Sequence, residues 1–220
     1  MAWAAEYPCI VADPPWNETG GGKIKRGADR HYPLIKKRED ILRVMVTAPC
    51  WRPAANAHLW LWVTNNFLPD GLWLMGALGF RYVTNRAWAK MEQPLVERYS
   101  EAVWKPQRPG LGQYLRGQHE LLLFGVRGTL PARWKSMKKP RSCPTTLLLA
   151  PRGEHSEKPQ QAYDDIEHVS PGPRLEMFAR EARYGWDAWG NAVEDVRPVK
   201  GCPIPGHHPS CDCEGAGGWR

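Results

Sequence analysis

Apolar positions along this chain follow two rhythms. Short segments rich in apolar residues recur at residues 9–13, 58–63, 80–88, 119–126, 146–149 and 174–179. Runs of that length read as strands buried on both faces. Between them, Ile41, Leu42, Met45 and Val46 share one helical face within 38–47. Residues 66–78 continue as a helix stopped at Gly79, and 159–169 form a third. Residues 188–190 close the series. Strands alternating with helices predict an α/β fold, a mostly parallel sheet with helices on both faces. Two polar stretches, 17–31 and 93–118, read as long loops. In such folds the loops at strand ends build sites, and long ones carry function. The pattern predicts one domain over 1–193 and a Pro- and Gly-rich tail over 194–220.

Composition narrows the class. A chain of 220 residues suits one substantial domain, and 42% hydrophobic with 24% charged residues is an ordinary globular balance. The formal net charge of +7 favours a polyanionic partner. Twelve tryptophans are unusual; some belong to the core and others are candidates to stack on bases. No apolar stretch reaches 18 residues, and the first residues lack the pattern of a signal peptide. Cys9, Cys50 and Cys143 are scattered singly, which suits a reducing compartment. The expected location is cytoplasmic.

The strongest chemical signal is Asp13-Pro14-Pro15-Trp16, directly behind the first apolar run. Each proline removes a backbone donor and fixes φ, so the strand ends there. A carboxylate, carbonyls and a flat ring then stand at the carboxyl end of a strand, where open α/β sheets bind ligands. That set suits a planar base bearing an exocyclic amine. No Gly-x-Gly-x-x-Gly fingerprint is present, and Gly20-Gly21-Gly22-Lys23 lacks phosphate-loop spacing.

Further segments follow in order: His31-Tyr32-Pro33, Leu61-Trp62-Val63-Thr64-Asn65, the loop 110–116 leading into His119-Glu120, His155-Ser156-Glu157-Lys158-Pro159, the block 174–180, and 185–191. Together with Asp13-Pro14-Pro15-Trp16 they resemble the MT-A-seventy family of S-adenosylmethionine-dependent adenine-N6 methyltransferases over about 10–191. The resemblance implies a Rossmann-like methyltransferase domain that uses S-adenosylmethionine as cofactor. It implies that Asp13 is the catalytic acid, that Asp13 and the Pro14 carbonyl hold the adenine amine, and that Pro15 and Trp16 complete the motif, with Trp16 stacking on the base. Asp13, Lys158, Phe178, Arg180 and Asn191 would meet the cofactor, Lys158 at its methionine carboxylate. Tyr32, Lys23, Lys25, Arg26, Tyr114, Arg116, Arg133 and Lys135 are the expected substrate contacts.

The pattern departs from the family at two points. No Asp precedes the first strand at the spacing the family uses for the cofactor adenine, and Ala192 stands where an amide or acid is usual. The small size resembles bacterial and phage members, which favours DNA as substrate. RNA methylation, or a catalytically silent nucleic-acid-binding subunit, are the alternatives, and a homo-oligomer is left open. Cytosine-N4 methylation is usually associated with Ser in place of the first Asp. The tail carries Cys202, His207, Cys211 and Cys213, enough ligands for one zinc ion, although Cys-x-Cys spacing is untypical; the leading expectation is no metal.

Overall fold

The computed structural model describes residues 3–18, 34–92, 106–109, 114–132, 143–153 and 157–190. In chain order these form β1 (Tyr7–Ala12), α1 (Arg38–Thr47), β2 (Pro53–Val63), a single 3-10 turn (Asn65–Phe67), α2 (Leu68–Ala77), β3 (Arg81–Met91), β4 (His119–Arg127), β5 (Leu147–Pro151), α3 (Gln160–Val169), β6 (Arg174–Met177) and β7 (Trp186–Trp189). The strands build one sheet in the order β5-β3-β4-β2-β1-β6-β7. It is mostly parallel, as the alternation predicts; β4 alone runs antiparallel to both of its neighbours.

Period-two alternation divides the strand side chains between two cores. Ile10, Ala12, Leu59, Leu61 and Val63 face α1 and α2, meeting Ile41, Met45, Leu74 and Met75. Cys9, Val11, Trp60, Trp62 and Leu122 face α3, meeting Ala162, Tyr163 and Ile166. Because both faces are covered, β1 and β2 are apolar at their buried positions apart from His58, which is why they read as apolar runs. Gly125 allows a close approach: a Cβ there would lie 2.6 Å from the Met75 sulfur. Trp62, Trp88 and Trp186 are fully buried, so part of the tryptophan excess is core.

Element ends differ from the apolar runs for identifiable reasons. β2 begins at Pro53, five residues before its apolar run. Pro53 pairs there with Tyr7 of β1 and Ala57 with Arg127, and proline is tolerated as the first strand residue. β3 continues to Met91 because β5 pairs with it through Pro151. The predicted helix over 66–78 starts as a 3-10 turn, with Pro69 in the first turn of α2, where its missing N–H is no loss. β6 stops at Met177 because Phe178 adopts φ 62°, outside the extended region. Among the described residues no helix is long and apolar enough to cross a membrane. The predicted tail, 194–220, lies outside the described residues.

Candidate active site

β1 is the strand at which the sheet changes direction of growth. α1 leads from it to β2 on one side, while α3, on the opposite face, leads to β6 on the other. The crevice beyond the carboxyl ends of β1 and β6 is therefore the topological switch point, where open α/β sheets bind ligands. Asp13 follows β1 into this crevice, its N–H donating to the Met177 carbonyl at 3.3 Å.

The two prolines and Trp16 fix the turn. The Trp16 N–H donates to the Pro14 carbonyl at 2.8 Å, and the Ile35 N–H donates to the Pro15 carbonyl at 3.1 Å. A carbonyl has two lone pairs, so Pro14 keeps one acceptor position for a further donor. The Trp16 ring is only 5% exposed. Its indole N–H donates to the Trp62 carbonyl at 2.9 Å, and the ring stacks on Phe67 at 5.8 Å between centroids. The Trp62 carbonyl and the Phe67 ring thus hold the Trp16 ring beside the motif, largely shielded from solvent.

Lys158 joins Asp13 in the crevice. Its Nζ lies 2.9 Å from Asp13 Oδ2 and 3.2 Å from Glu120 Oε2, and 5.3 Å from the centre of the Trp62 ring. The Lys158 side chain is 8% exposed, Glu120 17% and Asp13 22%. Lys90 donates to the other Glu120 oxygen at 2.5 Å. Charges thus alternate along a row: Asp13, Lys158, Glu120, Lys90. Burial works against the Lys158 ammonium, but the two carboxylates outweigh it and hold the group charged, above its ordinary range. Burial likewise raises the Glu120 carboxyl, yet the two lysines overcome this and hold it at about 2.

Glu120 and Lys90 are site residues that the sequence reading missed. Trp88 pairs with Glu120 across β3 and β4, and Trp62 with Leu122 across β2 and β4. Strand parity therefore places Glu120 on the α3 face, with Leu122, at the same sheet end as Asp13. That parity, together with a charged residue at the start of an apolar run, was the available signal.

A second buried carboxyl stands beside the first group. The Tyr163 hydroxyl donates to Glu176 Oε1 at 2.6 Å, and the Arg183 guanidinium lies 3.5 Å from the Tyr163 ring centre and 3.9 Å from Glu176 Oε2. Burial pushes the Glu176 carboxyl above its usual range. Phe178 follows directly, its ring edge-on to Trp189 at 5.8 Å. The Ala179 N–H donates to the Trp189 carbonyl at 3.0 Å, bringing the segment after β6 against that after β7. Gly190 is required there, because a Cβ would run into the Ala179 carbonyl oxygen and amide nitrogen. Arg180 is exposed on the same segment.

Tyr114 and Arg116 are exposed on the loop before β4. Tyr32, Lys23, Lys25, Arg26, Arg133, Lys135 and Asn191 lie outside the described residues, as do Cys202, His207, Cys211 and Cys213. Among the described residues no cluster of His, Cys, Asp and Glu could hold a metal ion. A separate cavity of about 230 Å³ lies on the α3 face toward the amino end of β2, between His58, Trp60, Arg86, Phe124, Asp165 and Ile166. None of the predicted site residues lines it.

Comparison with known proteins agrees with the motif order. The MT-A70 family model, the MT-A-seventy family of the sequence resemblance, matches residues 7–192. Type II methyltransferase M.MunI of Mycoplasma sp is 29% identical, with 86% of this chain and 79% of that protein aligned. A putative N(6)-adenosine-methyltransferase MT-A70-like protein of Medicago truncatula is 27% identical, with 88% and 28% aligned. The human N(6)-adenosine-methyltransferase catalytic subunit METTL3 is 23% identical, with 87% and 29% aligned. The chain thus spans most of the first relative and under a third of the other two. With a family match across nearly the whole sheet and an acid at its switch point, this chain belongs to the MT-A70 family.

Proposed function

We propose that this protein transfers a methyl group from S-adenosylmethionine to the N6 amine of adenine in nucleic acid, with DNA the favoured substrate. The observation that carries the reading is the Asp13 carboxylate, held 2.9 Å from a buried lysine at the switch point and still partly open to solvent. The residues present suit the cofactor. Its amino-acid end is zwitterionic, and the crevice supplies both a cation, Lys158, and buried carboxyls, Glu120 and Glu176. The Trp62 indole N–H is buried without an acceptor, close under the Lys158 ammonium. Lys158, Phe178, Arg180 and Asn191 would hold the cofactor, which supplies an electrophilic methyl on a sulfonium sulfur.

Adenine N6 is a poor nucleophile because its lone pair is delocalised into the ring. Asp13 and the free lone pair of the Pro14 carbonyl would accept the two amine hydrogens, drawing the nitrogen toward tetrahedral geometry. As the nitrogen gains positive charge, the carboxylate stabilises it and then carries the surplus proton away. Lys158, 2.9 Å away, holds the Asp13 carboxylate in place for that task. A base within a duplex cannot reach such a crevice, so it is flipped out or already single-stranded.

The DNA preference rests on which relative is aligned over most of its own length. The relative aligned over 79% of its length is named a Type II methyltransferase. One named as an RNA methyltransferase, from Cryphonectria parasitica, is aligned over 54%. The test is methyl transfer from labelled S-adenosylmethionine to matched DNA and RNA oligonucleotides, followed by digestion to nucleosides. N6-methyladenine from DNA is the expected product. N4-methylcytosine, or cofactor and nucleic-acid binding without any product, would sink the reading.

A further inference from the structure

The loop before β4 carries an apolar tip that the fold does not use. Tyr114 is 96% exposed and Leu115 89% exposed. Other exposed large apolar side chains among the described residues reach at most 51%. A side chain that is open to water on nearly all sides gains nothing from the core, so its apolar character is directed at something outside the chain.

The base of this loop is tied firmly. The Arg116 guanidinium donates to the Pro109 carbonyl at 2.9 Å, and the Gln118 side-chain amide to the Gln107 carbonyl at 2.8 Å. The Lys90 N–H donates to the Gln118 carbonyl and the Gln107 N–H to the Lys90 carbonyl, both at 2.9 Å. Glu120, which meets Lys158, and Lys90, which pairs with Glu120, belong to this same base. The tip and the acid row are therefore parts of one tethered unit. Leu115 and Glu120 are about five positions apart, a span of at most ~18 Å. The exposed Arg108 and Arg116 flank the tip with positive charge, which suits a phosphate backbone.

We infer that Leu115 is a wedge that enters duplex DNA at the step vacated when the target adenine swings into the Asp13 crevice, with Tyr114 against the adjoining base. This deepens the methyltransferase reading and rests on it. A flipped base leaves a gap in the stack, and refilling that gap opposes the extrahelical state. An apolar side chain placed between base steps holds them apart, and Leu and Met are among the residues that do this. Leu115 would thus be a positioning residue for duplex substrate and have no part in the chemistry.

The experiment uses the full chain and one DNA sequence, presented as a single strand and as a duplex. Leu115→Ala should lower kcat/KM on the duplex by about tenfold or more, since unstacking a step costs a few kcal/mol, while the single strand is methylated near the wild-type rate. Leu115→Met should restore duplex activity. A duplex with an abasic site opposite the target should be methylated by Leu115→Ala and wild type alike. With 2-aminopurine at the target position, wild type should raise its fluorescence on binding and Leu115→Ala should not. Equal losses on both substrates, with or without a change in molecular mass by light scattering, would overturn the wedge. So would no loss on either, or a wild-type enzyme that methylates the single strand alone; in each of these cases methyl transfer to adenine still stands. A wild-type chain that methylates no nucleic acid would instead remove the reading on which the wedge rests.

Discussion

Lys158 Nζ stands 2.9 Å from Asp13 Oδ2 and 3.2 Å from Glu120 Oε2, so one buried ammonium serves two carboxylates from different strands. The sequence motif pairs this lysine with the cofactor alone. In the structure it also pairs with the acid that would meet the target amine. Cofactor binding and the placement of the acid therefore share one cation.

Substituting the acid should separate chemistry from folding. Asp13→Ala is expected to abolish turnover, and Asp13→Asn to lower it by about 10²–10³-fold, the usual scale for one lost electrostatic contact at a reacting centre. Lys158 keeps Glu120 as a partner in both variants, so melting temperatures should stay close to wild type. Near-normal methylation by Asp13→Ala would remove this residue from the mechanism.

Removing the cation should be harsher on the fold. Lys158→Ala leaves two carboxylates facing a poorly solvated space, and a loss of about 3 kcal/mol in unfolding free energy is expected, at the low end for a broken buried pair because Asp13 reaches solvent. Adding Glu120→Gln should recover part of that loss, which denaturant titration of the four members of the cycle would show. Calorimetry should also find weaker S-adenosylmethionine binding by Lys158→Ala.

Acid should act on the same row. Glu120 is held at about 2 in the fold against an ordinary 4.5. The folded state therefore favours the ionised form, and its contribution is complete above pH 4.5 and lost as pH falls toward 2. The difference in melting temperature between wild type and Glu120→Gln should shrink as pH is lowered from about 6 to about 3. A difference that is constant over this range would contradict the assignment.

At the far end of the crevice, Gly190→Ala would push a methyl group into the Ala179 backbone, which has no side chain to move aside. Overpacking of this kind costs about 1–3 kcal/mol. Because Gly190 abuts the segment bearing Phe178 and Arg180, the affinity for S-adenosylmethionine should fall in parallel, measurable by calorimetry on the folded variant.

What the sequence disclosed was what local chemistry decides. The run before Asp13 is apolar at every position because both faces of β1 are covered, and two prolines end it wherever the chain lies. Lys158 was legible through its motif alone. Glu120 and Lys90 were not, because their meeting depends on the register between β3 and β4, set by pairing across a long connection. The anchoring of Trp16 was hidden for a related reason: the carbonyl of Trp62 that holds its indole is 46 residues away. The end of β6 at Phe178 reflects a backbone angle that no residue other than glycine signals in advance.

The reversed direction of β4 has one more consequence. A strand parallel to its neighbours brings its carboxyl end to the crevice, whereas β4 brings its amino end, with Glu120, so the connection from β3 begins and ends on the crevice side of the sheet. Lengthening or replacing that connection alters what the crevice can admit without disturbing a single rung of the sheet. Exchange of that connection would change target choice while the acid row at its root stays fixed.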